Sequence, residues 1–348
     1  MTTRINVDVT RASRTLQRAG WAAVGLALCV IVLGAFTRLA DAGLGCPDWP
    51  GCYGFVSVPE HPDELMLAGQ RYPDSPVEQA KAWAEMIHRY AAATLGLVII
   101  GLTIACARQA AAARARRIYA LATGVVILQG LFGMWTVTLK LWPQVVTAHL
   151  FGGLLTLTLL VLGARRLNPR LKLMRPDQVD ALRPWRVPVV IAAVVLAMQI
   201  FLGAWTSTNY AALTCTDLPS CNGDWSEPLD FGEGFHLTQT IGPNYLGGEL
   251  HHGARAAIHM SHRAGAVLTL LVLGVLFLGL LRTGVRTVKG WAAAGLGLLA
   301  LQVSLGLANV AFLLPLPVAV AHNGVAALLV IIMVCVADRV WRAKELQL

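Results

Sequence analysis

Charge is scarce in this 348-residue chain, with only 14% of residues charged, where a soluble domain carries about a quarter. Acids are scarcer than bases, 19 against 28, for a formal net charge of +9. The shortage excludes an ordinary soluble enzyme. Strand-like alternation of apolar and polar residues is also missing, which excludes a membrane β-barrel, because only helices and closed barrels satisfy their backbone in lipid. What the chain has instead is apolar length. Hydrophobic residues make up 56% of it and mean hydropathy is +0.61, gathered in runs near the ~20 residues that cross a bilayer. The composition is that of a polytopic, all-α integral membrane protein.

Windows of about 19 residues resolve eight runs, at 19–37, 84–107, 118–139, 145–164, 187–207, 257–281, 290–314 and 317–340. Basic residues sort strongly between the segments joining them. Of 28 Lys and Arg, 21 fall in the N-terminal tail (Arg4, Arg11, Arg14, Arg18) and in 108–117, 165–186, 282–289 and 339–344. The positive-inside rule therefore predicts cytoplasmic termini, with the long loops 38–83 and 208–256 outside. On this reading the basic balance is a topology signal that implies no nucleic-acid partner. Residues 14–42 resemble a signal peptide, yet Leu33–Thr37 (LGAFT) recurs as Leu202–Thr206 (LGAWT) deep in the chain. The first run is thus expected to be a retained helix.

That recurrence belongs to an internal repeat. Cys46 and Cys52 map onto Cys215 and Cys221 at an offset of 169, His88 and Arg89 onto His262 and Arg263 at 174, and His149 onto His322 at 173. Four helices per unit is an even number, so the sequence predicts two tandem four-helix bundles of one orientation, related by a pseudo-twofold along the membrane normal. The expected division is a cytoplasmic tail at 1–18, one half at 19–164, a basic linker at 165–186 carrying Pro169, Pro176 and Pro184, a second half at 187–341 and a tail at 342–348.

Four histidines, His88, His149, His262 and His322, lie a few residues inside the even-numbered runs. Ionisable groups within spans are costly and tend to be functional. Two imidazoles facing each other across a bundle suit haem iron, whose porphyrin supplies the remaining nitrogens; zinc is the weaker alternative, since it takes a third or fourth protein ligand. Arg38, Arg89 and Arg263 are placed either to meet haem propionates or to snorkel to the interface. Symmetry breaks one turn before the ligands, where Glu85 precedes His88 but His259 precedes His262. A carboxylate there can orient water, take a proton or stabilise positive charge, or pair with Arg89 at i,i+4. His259 is open to a role as proton relay, propionate partner or alternative ligand. Disulfides Cys46–Cys52 and Cys215–Cys221 are expected on the oxidising side, as loop staples or as exchange centres. Cys29, Cys106 and Cys335 read as small apolar residues. Gln129 and Gln302 read as interhelical hydrogen-bonding groups, and His61, His236, His251 and His252 as surface residues.

Taken in order, the motifs GAFTR at 34–38, GLGCPDWPGC at 43–52, EMIHR at 85–89, TAH at 147–149, HMSHR at 259–263 and AHN at 321–323 resemble the haem A synthase family over about residues 19–341. That resemblance implies an eight-helix oxidoreductase of cytochrome oxidase assembly, converting a methyl group of haem O to the formyl group of haem A by successive hydroxylation. It implies a haem B cofactor on His262 and His322, substrate haem on His88 and His149, and Glu85 as the catalytic carboxylate. It also implies a bacterial-type inner membrane, delivery of substrate by haem O synthase, and an electron acceptor the sequence does not name. A non-catalytic dihaem cytochrome shares every histidine argument but gives no reason for Glu85 to diverge from His259. A transporter ranks third, because the spans lack midplane charges.

Overall fold

The computed structural model describes residues 12–168, 173–223, 226, 228–342 and 344–345. Arg4, Arg11, Pro169 and most of the C-terminal tail lie outside the described residues. Among the described residues eight long helices are apolar enough to cross a membrane: α1 (Arg14–Leu39), α3 (Gln79–Ala107), α4 (Ala113–Thr138), α5 (Pro143–Arg166), α7 (Arg186–Thr208), α9 (His252–Arg282), α10 (Arg286–Ala311) and α11 (Leu316–Arg342). Three short ones, α2 (Pro62–Arg71), α6 (Pro176–Leu182) and α8 (Phe231–Gly234), lie in the connections. Among the described residues the only strands are two-residue pieces, β1 (Leu173–Met174) and β2 (Lys344–Glu345), which pair in parallel and tie the linker to the tail.

Each expected run is found as a helix, and most helices outrun their apolar stretch. Helix α9 begins at His252, five residues before its run, because the first turn sits among loop residues where polar side chains are tolerated. The start of α1 is set by Ser13, whose hydroxyl accepts from the Leu16 amide at 3.2 Å. Pro143 opens α5 at a position where a missing N–H costs nothing. The turns entering α5 and α11 are built alike, with left-handed residues at Lys140 and Leu141 (φ 48° and 60°) and at Leu313 and Leu314 (55° and 61°). Left-handed Asp41 and Tyr53 likewise recur at Tyr210 and Asn222. Such conformations are unfavourable for residues with a Cβ, so their recurrence at the repeat offsets shows the duplication in the backbone itself.

Helix neighbours follow the same order in each half: α1, α3, α4 and α5 close one ring, and α7, α9, α10 and α11 the other. The halves meet through α5 and α11, with α1 against α11 and α7 against α5, the pattern that a twofold relation produces. Consequently α5 and α11 are the most buried spans, at 44% and 39% of their apolar windows against 11–28% elsewhere. The remaining faces present Leu97, Ile127, Val187 and Val275 outward, as lipid contact requires. One core centres on Leu95, Ile99, Tyr119 and Leu157, the other on Leu196, Phe277, Leu299 and Val336. At the linker end, Asp338 of α11 receives Arg165 at 2.7 Å and Arg166 at 3.2 Å from α5, all three buried. At the opposite end the second long loop crosses to the first half, where the Trp142 indole donates to the Gln239 carbonyl at 3.0 Å and the Gln144 amide to the Leu237 carbonyl at 3.0 Å.

Candidate haem sites in the two halves

The four span histidines sit at matching depths near the loop end of the helices, two in each ring. His262 and His322 face each other with ring centres 6.5 Å apart and planes at 78°. An iron held by two imidazole nitrogens at ~2 Å each, with ~1 Å from nitrogen to ring centre, separates the centres by roughly 6 Å. The observed spacing fits. All four residues retain partial exposure inside the bundle, whereas the Nδ1 atoms of His88, His149 and His322 are enclosed and unpartnered. For His88 and His149 the accessible edge is therefore the one that carries Nε2, the edge a porphyrin iron takes; in His322 that nitrogen meets Gln302.

Every one of these rings lies against a glycine of a neighbouring helix. A Cβ on Gly34 would fall 2.8 Å from Cε1 of His88, on Gly203 3.0 Å from His262, on Gly306 3.3 Å from His322 and on Gly133 3.6 Å from His149. Gly34 corresponds to Gly203 and Gly133 to Gly306 in the repeat, so the cradle is duplicated along with the ligands. The sequence carried this signal as glycines recurring at the histidine offsets. Without the packing, nothing tied them to the rings.

Glu85 is buried between the first cysteine loop and Arg89. Its carboxylate accepts from the Cys46 amide at 2.9 Å and from Arg89 at 2.5 Å. His259, its counterpart, is equally buried but accepts only a long contact from Arg263 at 3.4 Å, and its Nδ1 has no partner. The disulfides Cys46–Cys52 and Cys215–Cys221 are both formed, with Cα separations of 4.8 and 4.5 Å. The arginines hold these loops. Arg89 donates to the Gly51 carbonyl at 2.5 Å, while Arg263 donates to those of Asp217, Ser220 and Cys215 at 2.7, 2.8 and 2.6 Å. Arg38 joins the halves instead, donating to the Ser207 carbonyl at 2.5 Å and lying 4.1 Å over the Tyr210 ring.

Two of the glutamines touch these histidines. The Gln302 amide lies 3.2 Å from His322 Nε2. Gln199, which sequence reasoning passed over, lies 3.0 Å from His262 Nδ1; the signal available was an isolated amide in the apolar run 187–207. Among the described residues, no third His, Cys, Asp or Glu joins either histidine pair at metal-ligand distance, which disfavours zinc. The one such group of three, Asp230, Glu233 and His251, lies at the surface where α9 begins.

Two parallel helix rings, each with a glycine-cradled histidine pair and one of those pairs spaced for a porphyrin, define an integral membrane protein of the haem-handling class. The chain belongs to the COX15-CtaA family of cytochrome oxidase assembly proteins, whose model matches residues 17–334. A protein of Shewanella oneidensis named heme A synthase is 44% identical over 319 residues, covering 91% of this chain and 94% of its own length. Proteins of the same name from Caulobacter vibrioides and Shouchella clausii are 28% and 25% identical, covering 95% and 74% of this chain.

Proposed function

We propose that this chain is a haem A synthase, an oxidoreductase that converts a methyl group of haem O to the formyl group of haem A for cytochrome oxidase assembly. The observation that carries this reading is the divergence between equivalent positions: two like histidine pairs, with a carboxylate beside one and an imidazole beside the other. Residues 19–164 form the substrate half, where His88 and His149 take haem O. Residues 187–341 form the cofactor half, where His262 and His322 hold haem B. The termini and the basic linker 165–186 face the cytoplasm of a bacterial-type inner membrane, and both cysteine loops face outward. Haem O synthase delivers the substrate, and a separate acceptor removes the electrons.

Haem B, which His262 and His322 would hold, would supply one-electron transfer. The protein's own contribution begins with the glycine cradles, which fix ring placement. Glu85 then acts beside the substrate. Its Oε2 holds the Cys46 N–H and its Oε1 the Arg89 guanidinium, so the carboxylate is aimed before substrate arrives. As two electrons leave for the acceptor and the methyl carbon gives up a proton to solvent, the carboxylate would stabilise the positive charge there and take the proton that water loses in forming the C–O bond; a second such round and loss of water would leave the formyl group. Arg38, Arg89 and Arg263 set the loop-end rim that meets the propionates.

The test is to purify the full chain from cells making haem O and to identify its pigments by chromatography with mass spectrometry. Haem B accompanied by haem O, its hydroxylated form or haem A is the expected result. Haem B alone in both halves, with haem O available, would identify an electron-transfer cytochrome and overturn the reading.

A further inference from the structure

Gly45 stands one residue before the first disulfide, in the stretch that brings Cys46 to Glu85. A Cβ built on it would lie 2.6 Å from the carbonyl carbon and oxygen of Lys81 and 2.8 Å from the Ala82 nitrogen. All three atoms are backbone of α3, one turn before Glu85, and helix backbone cannot swing aside as the tip of a side chain can. Only glycine lets the loop come this close. With Gly45 pressed against α3, the Cys46 N–H donates to Glu85 Oε2 at 2.9 Å, and Cys46 itself is fully enclosed.

The second half has no glycine here. At the offset of 169 that maps Cys46 onto Cys215, Gly45 corresponds to Thr214, and at 174 Lys81 and Ala82 correspond to Arg255 and Ala256. The local turn is kept, with the Thr214 amide on the Ala211 carbonyl at 3.3 Å as the Gly45 amide is on the Ala42 carbonyl at 3.1 Å. The reach to the helix is not. His259, the counterpart of Glu85, meets Arg263 at 3.4 Å and takes no backbone amide, its Nδ1 being enclosed without a partner. Glycine and carboxylate occur together in one half, threonine and imidazole in the other.

We propose that Gly45 is a positioning residue for Glu85: by presenting no Cβ to the α3 backbone, it lets the cysteine loop set an amide donor on the carboxylate. This rests on the reading of Glu85 as the carboxylate beside the substrate. One carboxylate oxygen is then fixed by the amide and the other by Arg89, so the group meets the reacting carbon in one orientation. A side chain at position 45 moves the loop off α3 by about 1 Å, and a 2.9 Å hydrogen bond stretched that far is no longer one.

The experiment compares the full-length, haem-loaded protein with Gly45→Ala, Gly69→Ala and Thr214→Ala. Gly69 lies in the same loop with nothing within 4 Å of a Cβ, and Thr214 holds the equivalent place in the second half. Haem A formation against haem O concentration gives kcat and KM. The oxidised-minus-reduced infrared difference spectrum gives the Glu85 carboxylate band, identified by its loss in Glu85→Gln, and mass spectrometry verifies the disulfide. Gly45→Ala is expected to lower kcat about tenfold, with KM and haem content unchanged, and to shift that band; both controls should match the parent protein. A lowered melting temperature with kcat and band unmoved would overturn the proposal, because a glycine needed only for packing leaves both in place. A second pair of variants decides the matter even where Gly45→Ala does not fold: His259→Glu with and without Thr214→Gly, which copies the first half into the second. Hydrogen exchange at the Cys215 amide should slow about tenfold only when the glycine is present; equal exchange in the two also overturns the proposal. Normal turnover in Glu85→Gln, with the band shift and the exchange difference intact, marks the other failure: the catalytic reading of Glu85 falls, and the hold of Gly45 on that carboxylate stands.

Discussion

The two halves share helix order, histidine depth, glycine cradles and a disulfide loop, and they part at a few equivalent places. Glu85 stands where the second half has His259, Val30 where it has Gln199, and Ala91 where it has Gly265. The loops differ in what they hold. The first reaches the core through the Cys46 amide on Glu85, whereas the second is gripped from outside by Arg263 on three carbonyls. Duplication supplied two alike histidine pairs, and the halves diverge a turn away from them; under the proposed function those substitutions separate a reacting site from a holding one. The histidines themselves do not distinguish the halves.

The largest effect should come from the ligands. His262→Ala is expected to abolish the low-spin spectrum of the retained haem, while His88→Ala keeps that spectrum and loses turnover; visible spectroscopy on both variants checks the division. Glu85→Gln should then lower turnover by about a hundredfold or more at unchanged haem content, with His259→Gln having a far smaller effect; equal losses would erase the proposed asymmetry. Gly34→Ala pushes a Cβ into His88 and should destabilise its half by about 1–3 kcal/mol, followed by thermal unfolding. Gly133→Ala, with its wider 3.6 Å approach, should be nearly silent. The smallest expected difference concerns the loops. Replacing Cys46 and Cys52 by Ser should reduce turnover about tenfold, in the range of a lost orienting hydrogen bond, and more than the same change at Cys215 and Cys221, because only the first loop touches Glu85.

The eight spans, the repeat and the four span histidines were legible because each has a long or recurring signature: apolar length, a near-constant offset, and ionisable residues where lipid penalises them. Helix ends were less so, since polar first turns such as that of α9 carry no hydropathy signal. Gln199 and the four glycines escaped for a different reason. Each is an ordinary residue in an apolar run, and its meaning depends on which neighbouring helix it faces.

The sequence by itself determined that the chain lies in a membrane, that it is doubled, and which histidines stand at one depth, because hydropathy, charge bias and repetition are properties of residue order. Only the tertiary structure decided that Arg89 and Arg263 grip the cysteine loops, that Glu85 hangs from the Cys46 amide, and that the Gln199 side chain reaches His262. Those contacts join residues dozens of positions apart on different helices, and they exist only once packing has rotated each helix to a particular face.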